Sequence, residues 1–211
     1  MTAAKQVEKV FAELENYGLL LESDRRLPSA SAIVAGGAIK GSWWGHPRAH
    51  AIYAAAQQLA SHPDVVVTKL ISGKVTYLHR RLWSPLFAVG TSMEPWQLQG
   101  LSDEARFLLD LISSKGQVQT NRVEPSFPMT ASALGKAARE LEKKIIVHSE
   151  EVHTETGAHA KILQTWKRWA RHVGLSKRKM DTEEAKKVFD EIVGALNARF
   201  AAKGKLPWSG L

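Results

Sequence analysis

Just before position 131 the chain enters a helix-forming segment with two faces of opposite kind, and a β-hairpin pattern follows it at once. On a 3.6-residue period Leu134, Ala138, Leu141 and Ile145 fall on one side, while Lys136, Arg139 and Lys143 fall on the other. Such a helix can bury one face and offer the other to an anion. Thr130 or Ser132 supplies the N-cap, which predicts a helix over 131–143. Lys144 to His153 and Ala158 to Thr165 then read as opposed strands around the glycine-bearing turn Glu155-Thr156-Gly157.

Charge follows the same geography. The formal net charge of +8 divides into +3 for residues 1–101, −1 for 102–129, +6 for 130–180 and 0 for 181–211. A positive field concentrated in one stretch attracts polyanions and makes their binding salt-dependent. The absence of cysteine excludes a disulfide framework, a thiolate metal site and a cysteine nucleophile, and it fits a reducing, cytoplasmic setting. No apolar run reaches the length of a membrane span, and MTAAKQVEKVF lacks the apolar core of a secretory signal. The sequence therefore reads as a cytoplasmic protein with no membrane partner.

In the N-terminal half, Val7, Val10, Phe11, Leu14 and Tyr17 predict an amphipathic helix over 3–17 that stops near Gly18. SASAIVAGGAIKG fits either a short helix or a flexible crossing. Pro47 to Ala60 predicts a helix, and Val65 to Ile71 with Lys74 to Leu78 predicts a hairpin turning at Ser72-Gly73. A further helix is expected from about Arg81 to Val89.

Two clusters here carry candidate chemistry. Trp43, Trp44, His46 and Arg48, with His50, join aromatic planes to positive charge, a combination that suits stacking of unpaired bases. The same residues also fit tryptophans that seal a core beside locally bonded histidines. His46 and His50 stand at i and i+4 without a third ligand, so no metal is expected there. In His79-Arg80-Arg81-Leu82-Trp83 the arginines fit phosphate contact and a solvated helix start equally well.

In the C-terminal half, Ser102 caps a predicted helix over 102–114 whose buried stripe is Phe107, Leu108, Leu111 and Ile112. Gln117-Val118-Gln119 predicts a short strand, and Pro125 and Pro128 limit helix in the segment after it. Trp166 to His172 and the Lys177-Arg178-Lys179 run extend the basic surface. Lys167, Arg168 and Arg171 are candidate phosphate contacts, or part of a solvated basic linker. Asp181 to Lys203 predicts a closing helix with the stripe Val188, Phe189, Ile192, Leu196 and Phe200, suited to packing or to a homodimer.

The order helix, strand near 117, helix 131–143 and hairpin IIVHSEEVHTETGAHAKILQTW resembles the winged helix-turn-helix family over about residues 101–166. That resemblance implies a DNA partner, with Ser132, Lys136, Arg139 and Lys143 facing the groove and His153, Thr154, Thr156 and His159 on the wing. The chain departs from the family at 120–129, commonly helical there but interrupted by two prolines here. The first half repeats a related order of elements. The expected fold is thus α+β and mainly helical, with tandem winged-helix-like modules, each with a β-hairpin, and a C-terminal helix. Its divisions are 1–100, 101–175 and 176–211.

Two other functions stay open. Tandem winged helices also resemble a bacterial family of DNA glycosylases, some of which use a glutamine-x-glutamine motif. Gln97-Leu98-Gln99, beside Trp96, and Gln117-Val118-Gln119 match that pattern, and the resemblance implies base extraction against an aromatic wall. A winged helix can also be a protein-binding scaffold, which Glu140, Glu150 and Glu151 favour if they cover the basic face. The stretch from SWWGHPRAH to HRRLW resembles bacterial proteins of no assigned function. No P-loop, dinucleotide fingerprint, nucleophile elbow or zinc signature is present, so no cofactor is expected.

Overall fold

A computed structural model describes residues 3–122, 129–153, 159–175 and 180–209. Helix α1 (Ala3–Tyr17) buries Val10 and Leu14 and ends at Gly18, whose φ of +82° turns the chain into β1 (Leu19–Leu21). The small-residue segment forms α2 (Ala30–Ala35), capped by the Ser29 side chain and closed by Gly36 in the left-handed region. A single 3-10 turn at Trp43–Gly45 leads to α3 (Ala49–Ala60). The hairpin β2 (Val65–Ile71) and β3 (Lys74–His79) completes an antiparallel sheet of order β1-β3-β2. Its two-residue turn has positive φ at both Ser72 and Gly73, the type I′ geometry that suits the twist of paired strands.

The chain then crosses through a 3-10 turn at Arg80–Leu82, α4 (Trp83–Gly90) and the short α5 (Pro95–Leu98). The second half runs α6 (Asp103–Lys115), β4 (Gln117–Gln119), α7 (Ala131–Lys143), β5 (Val147–His153), β6 (His159–Thr165), α8 (Trp166–His172) and α9 (Thr182–Phe200). Its sheet has the order β4-β6-β5, again antiparallel, so each half inserts its last strand between the other two.

Three apolar clusters hold these elements. One lies between α1, α2, α3 and one face of the first sheet, where Leu20, Val65 and Tyr77 point. Another lies between α6, α7 and the inner face of the second sheet, including Val118, Val147 and Leu163. The largest is shared by both halves: Leu19, Leu21, Val66 and Leu78 on the other face of the first sheet meet α4, Trp166 and Trp169 of α8, and Phe189 and Val193 of α9. The first sheet is therefore buried on both faces. This explains why β1 reads Leu-Leu-Leu and carries no alternation by which the sequence would announce it as a strand.

Three expectations need correction. Phe107 is not in the buried stripe of α6 but is 42% exposed, and the stripe is Ala105, Leu108, Leu109 and Ile112. Ile145 does not share the apolar face of α7, because that helix ends at Lys143; Ile145 has a φ of +55° and enters the shared cluster instead. Residues 166–172 are not a linker but α8, whose Trp166, Trp169 and Ala170 are buried; the Trp166 indole N–H donates to the Ile145 carbonyl at 2.8 Å. Among the described residues, no helix is long and apolar enough to cross a membrane.

Candidate nucleic-acid interface

Helix α7 begins where the Thr130 hydroxyl accepts from the Ala133 N–H. Leu134, Ala137, Ala138 and Leu141 are buried against α6 and the second sheet, and Ser132, Lys136, Arg139 and Lys143 are exposed together. The acids that share this helix turn away from that face. Glu140 accepts from both the N–H and the hydroxyl of Ser102, at 3.0 and 2.7 Å, and so fastens α7 to the start of α6. Glu142 is 3% exposed and lies between Lys69 of β2 at 2.6 Å and Lys161 of β6 at 2.5 Å, with the Ser149 hydroxyl donating at 2.6 Å. Burial pushes the Glu142 carboxyl up, but the bonds from Lys161, Lys69 and Ser149 outweigh it and hold the group below its ordinary range. Neither acid opposes the cations of the exposed face.

Lys143 has a second neighbour. A Cβ added at Gly73 would come within 3.3 Å of its side chain, so the lysine lies along the turn of the β2–β3 hairpin. His153 ends β5 and His159 opens β6, and the two are paired in the strand register. Thr154 and Thr156 lie outside the described residues.

On α8, Lys167, Arg168 and Arg171 are exposed opposite the buried tryptophans. Arg168 lies near Gly116, where α6 ends and β4 begins. The second sheet carries β4 on one edge and β5, the strand that follows α7, on the other.

On the outer face of the second sheet, His148 is 5% exposed, packed against the rings of Trp166 and Trp169, and its Nδ1 lies 3.2 Å from the Gln164 amide nitrogen. Burial lowers its pKa to about 4, so the ring is neutral at pH 7. Glu150 joins the same group by accepting from Gln164 at 3.1 Å. Glu151 is exposed and raises the pKa of Glu22 across the two halves, an effect second to the burial of Glu22 itself.

The glutamine pairs separate. Gln97 is wholly buried, its amide donating to the carbonyls of Val89 and Lys144 and its oxygen accepting from the Glu94 N–H and the Ser92 hydroxyl. It is a fastener between α4, α5 and the end of α7, with no capacity left for a water. Gln99 is exposed, so the two side chains share no pocket. Trp96 is buried and donates to Glu94 at 2.7 Å. Gln117 and Gln119 lie on β4, the first exposed and the second half-buried, and point to the same face because alternate strand residues do.

The tryptophan cluster divides between its two readings. Trp43 is buried in the N-terminal core, and Trp44 is 65% exposed. The rings stack at 4.1 Å. His46 Nδ1 accepts from the Arg48 N–H, and the Arg48 guanidinium donates to the Val34 carbonyl. Of the arginines after the first hairpin, Arg80 pairs with Asp64 at 2.9 Å and Arg81 donates to the Asn16 carbonyl at 3.1 Å, contacts that brace α1 and the loop before β2.

The chain matches no protein-family model, no curated protein sequence and no solved structure.

Proposed function

We propose that this protein binds nucleic acid, duplex DNA in particular, through α7 and the β5–β6 hairpin in the manner of a winged helix. The observation that carries the reading is the exposed face of α7, where Ser132, Lys136 and Arg139 stand together while Glu140 and Glu142 are turned inward and satisfied. A cationic helix face of this kind meets phosphates and base edges, and a hairpin beside it reaches the flanking backbone. The sheet order β4-β6-β5 with α6 and α7 on one face supports the same reading.

Fluorescence anisotropy with a labelled duplex tests it. Affinity should fall linearly on a log–log plot as salt rises, and Arg139→Ala and Lys136→Ala should each lower affinity and flatten that slope by about one. Lys143→Ala should weaken binding less, because its side chain lies along the Gly73 turn. An absence of duplex binding at low salt overturns the proposal. Base excision gains nothing from the Gln97-Leu98-Gln99 pair, since the Gln97 amide is buried and fully engaged while Gln99 is exposed. A protein-binding scaffold gains nothing from the acids on α7, which do not cover the basic face.

A further inference from the structure

The N-terminal half places α3 where the C-terminal half places α7, as the helix that leads into the hairpin, yet its exposed side chains are different. His50, Gln57 and Gln58 are exposed along it, and α3 contains no lysine, arginine or carboxylate. Just before it Trp44 projects, stacked at 4.1 Å and 23° on Trp43 and 5.8 Å from the Tyr53 ring. Trp43 is buried in the core cluster that holds Val34, Ile39 and Ile52, and its side chain bonds Glu22. The outer indole thus stacks on a buried inner one while 65% of its surface stays open to water.

Trp43 already seals the core, so the outer plane of Trp44 is open to a partner. The charge around it limits what would cover it. Glu22 bonds the inner ring, Trp43, and from Arg25 to Pro63 the chain has no carboxylate, while Arg25, Arg26, Lys40 and Arg48 are cationic. The Lys40 and Arg48 side chains flank the Trp43–Gly45 turn in sequence and are exposed. An exposed aromatic plane flanked by cations accepts a group that is flat, polarisable and carried on a negatively charged backbone.

We infer that Trp44 is a stacking platform for an unpaired nucleobase, making the N-terminal half a contact for single-stranded or locally opened nucleic acid distinct from the α7 face. The inference extends the reading of the chain as a nucleic-acid-binding protein but uses different residues, so the two fail separately. Sequence selection is not expected at this platform, because every base has a π-face.

The test compares a labelled intact duplex with the same duplex carrying a short single-stranded gap, for wild type, Trp44→Ala, Trp44→Phe and Arg139→Ala. Trp44 is exposed, so its replacement leaves the core intact; circular dichroism and thermal melting verify this. The wild type should favour the gapped DNA by about tenfold, within the range of a single base–aromatic stack. Trp44→Ala should abolish that preference and leave intact-duplex affinity unchanged, and Trp44→Phe should retain most of it. Equal wild-type affinity for the two DNAs, or a preference that survives Trp44→Ala, overturns the inference. Binding to anionic phospholipid vesicles that Trp44→Ala abolishes, with no preference between the DNAs, also overturns it. If Arg139→Ala binds both DNAs as tightly as wild type while the Trp44-dependent preference persists, the α7 reading fails and the platform stands.

Discussion

Two buried titratable residues show how single side chains set the pH range of this fold. His148 has a pKa of about 4 because burial against Trp166 and Trp169 penalises the charged ring. The unfolded chain takes up its proton near pH 6.5 and the folded one only near 4, so stability rises with pH across that window and is lost on acidification through it. The loss should be about 3 kcal/mol between pH 7 and 4, on the scale of 1.4 kcal/mol per pKa unit. Urea denaturation at several pH values measures it, and a His148→Gln variant should show a flatter profile over the same range. Glu142 acts in the same sense at lower pH: its depressed pKa contributes stability above the ordinary carboxylate value, and this is lost as pH falls through the folded value. Glu142→Gln should destabilise the protein by about 3 kcal/mol, because it leaves Lys69 and Lys161 side by side and half-buried without their anion. Adding Lys69→Met to that variant should recover part of the loss, and a double-mutant cycle reads the coupling. Neither residue stands out in the sequence. His148 is one histidine among eight, and Glu142 reads as an acid on the edge of a basic helix until burial reveals its partners.

At the scale of elements, two glycines make opposite predictions. Gly90 ends α4, and a Cβ there would come within 2.5 Å of the Trp166 ring, a core group with nowhere to move. Gly90→Ala should therefore lower stability by about 1–3 kcal/mol through overpacking. Gly135 lies inside α7, and a Cβ there would meet nothing within 4 Å. Gly135→Ala should raise stability by about 0.5–1 kcal/mol, because alanine loses less backbone freedom in a helix and leaves the charge of the face unchanged. Thermal melts of the two variants check both signs. The elements themselves were largely legible. Periodicity and caps placed α1 and α7 at their observed limits and the two hairpins within a few residues, since each signal is local. Strand β1 and helix α8 were not legible as such: one has no alternation because both its faces are covered, and in the other a basic exposed side masks two buried tryptophans.

At the scale of the whole molecule, the halves do not have independent cores. The back of the first sheet, α4, α8 and α9 bury their apolar faces in one shared cluster. The tail after α9 adds to this: Ser72 and Lys205 exchange hydrogen bonds at 2.7 and 3.1 Å at the tip of the first hairpin, and Gly204 fits beside Leu27 and Ile71. Phe189 is wholly buried in this cluster, and Phe189→Ala should cost about 3–5 kcal/mol. Because both halves depend on that cluster, denaturant unfolding should remain a single transition in the variant, monitored in parallel by far-UV circular dichroism and tryptophan fluorescence. Separate transitions for the two probes would show that the halves unfold independently.

The sequence by itself determined the helical and hairpin segments, the concentration of positive charge in residues 130–180 and the two-faced character of α7, because each of these follows from neighbours within a few positions. Only the tertiary structure decided which charges remain available. Glu142 is neutralised by lysines 73 and 19 positions away, Lys143 lies along a turn in the other half, and Gln97 is taken up by carbonyls of α4 and the end of α7. It also decided that Trp43 closes the core while Trp44 stays open. Those outcomes depend on which distant surfaces meet, and burial sets them rather than any local pattern.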